Sequence, residues 1–158
     1  MKLYSHICVV SLILEQDNRI LMLKRPRQKG GNYSLVGGKV DANESVTHAI
    51  IREAFEEAGL IIKHENLKMV HVMHRQKNAE SILHFFFHAN QWQGTIVNKE
   101  PDKCDGLEWF GLHELPINTA SAVLMAVVLF QQGVYYSEFN WKYPVNAWMA
   151  GSSVRGLK

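Results

Sequence analysis

The sequence predicts an α/β (α+β) fold, a mixed central sheet flanked by helices, and three observations lead there. Short stretches rich in Ile, Val, Leu and Phe recur along the chain at strand length. Two stretches, 45–58 and 120–132, have helical character instead. Glycine pairs and polar clusters separate these stretches, with no repeat or low-complexity tract between them. Strands alternating with two helices in 158 residues fit one domain spanning 1–158.

Each element follows from local signals. Residues 4–14 and 19–24 are apolar, and Glu15-Gln16-Asp17-Asn18 between them is a turn signal, so the pair reads as a hairpin. Gly30-Gly31 punctuates the chain, and Tyr33 to Val36 is a short strand. Gly37-Gly38 is expected to break the chain before a loop to Asn43. Ser45 to Ala58 is the first helix, with Asn43 or Asp41 as its cap and Gly59 as its stop. Residues 60–62 and 67–74 read as extended, and 81–89 is a stronger strand. Phe85, Phe86 and Phe87 in succession imply burial on both faces of that strand. Leu107 to Phe110 is a short strand, and Ala120 to Gln132 is a helix so apolar that most of it belongs to the core. From Asn140 the tail is irregular and aromatic.

Composition excludes several classes. A formal net charge of +2 is too weak for general nucleic-acid or membrane binding, which needs basic residues clustered on one face. No nucleic-acid polymer and no membrane partner are expected, and a homodimer is left open. Neither Cys8 nor Cys104 has a second cysteine or a histidine at zinc-site spacing. Two free thiols suggest a reducing compartment, and a cytoplasmic location is the default. The run Ile7 to Leu14 contains Ser11 and lacks a small-residue cleavage site, so it is not read as a secretory signal. The apolar run Ala120 to Phe130 is too short to span a bilayer.

The chemistry concentrates between Gly38 and Leu60. On a helix of about 100° per residue, Glu53, Glu56 and Glu57 share one face, being related by i,i+3 and i,i+4. Ile50, Ile51, Ala54 and Ala58 lie beside that face and can pack it onto a sheet. Like charges so placed repel, by roughly 0.2–0.5 kcal/mol per pair when exposed and by more when buried. Something positive should offset that. Hard divalent cations take carboxylate oxygens, and Mg²⁺ takes a few carboxylates together with water and substrate phosphates. Arg52 can pair with one glutamate and hold its rotamer. A lone ExxEE could be no more than a solvated helix face, but this one has further parts. A double glycine with Lys39 beside it precedes the helix, Glu44 stands at its start, and Gly59-Leu60 closes it.

Those residues, Gly38 to Leu60, match the Nudix signature G-x5-E-x7-R-E-U-x-E-E-x-G-U, in which U is apolar, with every fixed position filled. The chain therefore resembles the Nudix hydrolases, in particular the MutT-like members. Small departures leave the ligands intact. Val36 stands where many members have proline, Asn43 where glycine often precedes the first glutamate, and Ala54 is small for its apolar slot. The resemblance implies an α/β/α sandwich and a Mg²⁺-dependent pyrophosphohydrolase, with Mn²⁺ as a substitute. The substrate it implies is a small-molecule nucleotide, a nucleoside diphosphate linked to a further group.

By the same resemblance the metal ligands are Glu53, Glu56 and Glu57, with the backbone carbonyl of Gly37 or Gly38 and, from the loop Asn98-Lys99-Glu100-Pro101, Glu100. The catalytic set is Glu53, Glu56 and Arg52. Glu53 is the first choice to take the proton of the attacking water, and Glu100 the second. Glu44 serves either the helix start or Arg52. Arg25, at the end of the second strand, resembles a phosphate-contacting arginine, and Lys39 is a second cation for phosphate. Either can equally be a plain surface charge.

Substrate choice is less legible. Glu114-Leu115-Pro116-Ile117-Asn118 resembles the segment that carries a base-contacting asparagine in MutT-like triphosphate pyrophosphohydrolases, whereas Asn118 can also cap the last helix. Phe85, Phe87 and Tyr33 are candidates to stack on a base, or simple core. No proline lies between Gly59 and Lys99, where ADP-ribose-type members commonly carry one. The leaning is to a (deoxy)nucleoside triphosphate, cleaved to monophosphate and pyrophosphate, with a nucleotide sugar such as ADP-ribose or a dinucleotide as the alternative. His71, His74, His84 and His88 read as surface or satisfied polar residues rather than a metal site.

Overall fold

The computed structural model describes residues 5–141. Its strands are β1 (Ile7–Gln16), β2 (Arg19–Lys24), β3 (Tyr33–Ser34), β4 (Val36–Lys39), β5 (Lys68–Lys77), β6 (Glu80–Ala89), β7 (Gly106–Gly111) and β8 (Tyr136–Phe139). Its helices are α1 (Val46–Ala58) and α2 (Ser121–Gln131). The strands run in the order β3-β2-β1-β6-β5-β8, with β4 also paired to β1 and β7 to β2. The sheet is mixed: β1 and β6 are parallel from Ile7↔Ile82 to Leu14↔Ala89, whereas β5 and β6 are antiparallel.

Strand alternation divides the core in two. Val10, Leu12, Leu14 and Phe87 face α1, meeting its Ile50, Ala54 and Ala58. Ile13, Met22, Met73 and Phe86 face α2, meeting Val123, Ala126 and Val127. Phe86 and Phe87 thus enter opposite layers, as three aromatics in a row imply, and the α/β/α sandwich stands. The β1–β2 hairpin closes on Asp17 and Asn18, both at positive φ, the turn geometry that matches strand twist.

Three local expectations need correction. Gly37-Gly38 does not break the chain, because both lie inside β4 and pair with Ser11 and Val10 of β1. At Gly37 φ is +148°, and an added Cβ would run into the Val10 carbonyl and the Ser11 backbone. Glycine there lets two strands approach closely instead of ending one. The cap of α1 is Ser45, whose hydroxyl accepts from the His48 N–H at 3.2 Å. Asn43 sits in the preceding turn at φ +62°. Finally, β8 was not foreseen. It pairs parallel to β5 at the sheet edge, and its sequence Tyr-Ser-Glu-Phe has no apolar run to announce it. Asn140 and Trp141 apart, the aromatic tail from Asn140 lies outside the described residues.

Candidate active site

Two elements bring the acidic residues together. Burial of Ile50, Ala54 and Ala58 fixes the rotation of α1 against the sheet. That rotation directs Glu53 and Glu57 at the double-glycine strand and leaves Glu56 at the rim, its side chain 48% exposed. Gly38 passes so close that a Cβ there would collide with the Glu53 carboxylate. The Gly37 N–H donates to Glu57 Oε2 at 2.8 Å.

Arg52 organises the face more extensively than the single pairing expected of it. Its Nε and Nη2 donate to the two oxygens of Glu44, both at 2.9 Å. Nη1 donates to Glu53 Oε1 at 2.9 Å and to Glu56 Oε2 at 3.1 Å, and Nη2 also reaches the Lys39 carbonyl at 3.1 Å. The planar fork makes this possible, since a guanidinium presents five donors in fixed directions. Glu44 is thereby placed as the partner of Arg52, and the arginine's hydrogen bonds hold its carboxyl below the usual range. Arg52 itself is pushed up, first by Glu44 and further by Glu53 and Glu56.

The other carboxyls move the opposite way. Burial raises Glu53, and Arg52 offsets only part of the rise. Burial raises Glu57 to about 7, opposed by the Gly37 N–H and reinforced by the charges of Glu53 and Glu100. The charge of Glu100 acts on both Glu53 and Glu57, as a nearby acid's does. Glu100 reaches it because its loop is pinned to the helix end. Lys99 N–H donates to the Glu57 carbonyl at 3.1 Å, and the Asn98 side chain bridges the Cys104 carbonyl and the Glu100 N–H. Lys103, which the sequence reading passed over, holds Glu100 Oε1 at 2.7 Å. Its i,i+3 spacing from Glu100 was the available signal.

The donor set suits a hard divalent cation: several carboxylates, a backbone passage that only glycine leaves open, and in Glu57 an acid with no ion pair among the described residues. The side chains are not yet closed around a point. Among the described residues no three Asp, Glu, His or Cys groups are placed to hold a metal. Arg52, Lys103 and the Gly37 N–H engage the carboxylates instead. An ion would have to draw these oxygens from protein donors.

A cleft of about 180 Å³ opens beside this region, lined by Arg25, Ser34, Gly37, Glu57 and Lys103 among others. Arg25 therefore stands on the same cleft as Glu57. Lys39 is exposed and outside it. Asn118 donates to the Gly31 carbonyl at 3.0 Å. It does not cap α2, whose N-terminal cap position is Ala120 without a side-chain bond. Of the stacking candidates, Phe87 is core at 3% exposure, Tyr33 is buried with its hydroxyl on Glu108 at 3.1 Å, and Phe85 is half-buried. His71 and His84 are buried rather than superficial. His71 is satisfied by the Val134 carbonyl and Ser137.

Comparison with known proteins agrees with this geometry. The family model described as NUDIX domain matches residues 5–128. An ADP-ribose pyrophosphatase of Methanocaldococcus jannaschii is 34% identical over 117 residues, 73% of this chain and 68% of that protein. A CTP pyrophosphohydrolase of Escherichia coli K12 is 32% identical over 95 residues, 58% of this chain and 68% of that protein. Among solved structures, a MutT NUDIX hydrolase from Burkholderia pseudomallei superposes with a TM-score of 0.71 at 29% identity, covering 78% of this chain and 97% of that one.

Proposed function

The chain belongs to the NUDIX hydrolases, and from that premise we propose that it cleaves a (deoxy)nucleoside triphosphate to the monophosphate and pyrophosphate. What supports this reading is that the Glu100 loop is tied to the end of α1 by the Lys99 N–H to Glu57 carbonyl bond, so that the charge of Glu100 acts on Glu53 and Glu57. A longer run of phosphates carries more negative charge for metal ions to neutralise, and a further carboxylate can help to hold such an ion. The similarity to a protein named for CTP hydrolysis supports the same class.

In this reading Glu53, Glu56, Glu57 and Glu100, with a carbonyl of the double glycine, hold Mg²⁺ or Mn²⁺. Such an ion, when bound, neutralises phosphate charge and lowers the pKa of water. The protein's own groups do the rest. Arg52 orients Glu53 and Glu56 through one nitrogen, and Glu44 holds Arg52 in place. Glu53, already raised by burial, is assigned the proton of the attacking water, since a proton acceptor works best with a pKa near the working pH. Arg25, on the cleft with Glu57, takes a phosphate that is not attacked. Asn118 is assigned to the base, and would exchange its bond to Gly31 for that contact.

The similarity to a protein named as an ADP-ribose pyrophosphatase favours a second reading, a nucleotide sugar. Both are tested by incubating the protein with Mg²⁺ and a panel of triphosphates, ADP-ribose and a dinucleoside polyphosphate, with products resolved chromatographically. Pyrophosphate and monophosphate from a triphosphate are expected. Orthophosphate release, or cleavage of ADP-ribose alone, overturns the first reading.

A further inference from the structure

The loop between β6 and β7 crosses from one side of the candidate active site to the other. The Lys99 N–H donates to the Glu57 carbonyl at 3.1 Å, near the end of α1, and the Asp105 N–H donates to the Lys24 carbonyl at 2.8 Å, at the end of β2. Between those ties the chain turns on Glu100, whose carbonyl accepts from the N–H groups of Lys103 at 2.9 Å and Cys104 at 3.0 Å. The Asn98 side chain braces the same turn, donating to the Cys104 carbonyl at 2.7 Å and accepting from the Glu100 N–H at 3.1 Å. Hydrogen bonds therefore fix the backbone of Lys103, and the residue lines the cleft that Arg25, Lys29 and Glu57 also line.

The side chain of Lys103 is held far less firmly. Its Nζ reaches Glu100 Oε1 at 2.7 Å, yet the lysine side chain is 63% exposed. An ion pair so open to water contributes little and is cheaply exchanged. A lysine carries three donors on a flexible four-carbon stem, so its ammonium can leave one oxygen for another while the backbone stays still. Two demands bear on it at once. Glu100, assigned above to the ion, cannot keep this ammonium and bind a dication without like-charge repulsion. The cleft, in turn, presents Arg25, Lys29 and Lys103 against Glu57 alone. Neither Arg25 nor Lys29 makes an ion pair among the described residues. Three cations around one acid suit the oxygens of a polyphosphate.

We propose that Lys103 is an exchange cation: it holds Glu100 in the metal-free protein, gives up that carboxylate when the divalent ion binds, and turns to a phosphate oxygen of the substrate in the cleft it shares with Arg25. This rests on the hydrolase reading above and adds to it a residue that couples metal binding to substrate binding. The ammonium stays protonated throughout, and one charge-assisted contact is traded for another. Removing Lys103 then has opposite effects on the two ligands. Metal binding gains, because a competing cation is gone, and substrate binding loses a phosphate contact. A lysine that merely positioned Glu100 would bring a loss in both.

The first measurement needs no turnover: Mn²⁺ affinity by electron paramagnetic resonance in the wild type, Lys103→Met and Lys29→Met. The Lys29 variant removes an equal charge from the same cleft, but that Nζ lies on the Asp102 carbonyl at 3.4 Å rather than on an acid. Lys103→Met should bind Mn²⁺ about two- to fivefold more tightly than the wild type, and Lys29→Met should gain distinctly less. Unchanged or weaker binding in Lys103→Met, or an equal gain in Lys29→Met, overturns the proposal. The second measurement is kcat and KM for a nucleoside triphosphate at saturating Mg²⁺. Lys103→Met should raise KM about fivefold or more with kcat within about twofold, and Lys103→Arg should recover part of the rise. An unchanged KM removes the phosphate contact. If the wild type hydrolyses no triphosphate, the functional reading falls, and inorganic tripolyphosphate titrated calorimetrically into the metal-free protein decides the exchange by itself. Lys103→Met should weaken that binding more in a Glu100→Gln background, where the ammonium is released, than in the wild-type background. Equal weakening in the two backgrounds, or none, overturns the exchange.

Discussion

The backbone N–H of Gly37 donates to Glu57 Oε2 at 2.8 Å, joining the double-glycine strand to the last turn of α1. This contact ties the double glycine to the glutamate helix across twenty residues of sequence. It also sets what the metal-free protein tolerates, because Glu57 is a largely buried acid whose only direct donor among the described residues is one amide.

Glu57 should therefore govern a pH dependence of the metal-free fold. Its carboxyl stands near 7 against an ordinary 4.5, mainly through burial. A group raised in the folded state holds its proton more tightly there. The stability it contributes is present below about pH 4.5 and lost as pH rises through about 7. The loss is on the order of 3 kcal/mol at most. Thermal melts in chelator should show falling stability across that window, with the fall reduced in Glu57→Gln. A wild type and variant with identical pH profiles would refute the assignment.

The two glycines should respond differently to alanine. At Gly38 the added methyl meets only the flexible end of Glu53, so the fold should survive. Mg²⁺-dependent turnover should fall by about tenfold or more, as displacement of a positioned group does. At Gly37 the methyl meets backbone of β1 at a φ of +148°, and the fold itself should lose about 3 kcal/mol or more. Melting curves beside activity for the two variants check this, and a Gly37→Ala protein as stable as the wild type would contradict it.

Arg52→Lys should behave almost as Arg52→Gln. A point-like ammonium cannot reach Glu44, Glu53, Glu56 and the Lys39 carbonyl at once. We expect kcat to fall by at least about tenfold in both, with KM little changed. Full activity in the lysine variant would show that charge alone matters.

Ser45→Ala should cost about 1 kcal/mol by removing the cap of α1, and Asn43→Gly should leave helix stability nearly unchanged. Chemical denaturation checks both, and the reverse ranking would restore Asn43 as the cap.

Much of this was legible in the sequence because the signals are local. Helical spacing alone puts Glu53, Glu56 and Glu57 on one face, and Gly59, at φ +69°, ends α1 as expected. The double glycine was misjudged as a break because glycine marks both turns and close strand approach, and only pairing with Ser11 and Val10 tells them apart. Arg52 was credited with one glutamate of the helix, with Glu44 left between Arg52 and the helix start, because Glu44 lies eight residues away and the Lys39 carbonyl in another element.

The most direct measurement is Mn²⁺ binding, followed by electron paramagnetic resonance, in the wild type and in the Glu53→Gln/Glu57→Gln double variant. Convergence of those carboxylates on a cation predicts that the wild type sequesters Mn²⁺ and that the double variant loses about tenfold or more in affinity. Equal affinity in the two folded proteins would contradict it.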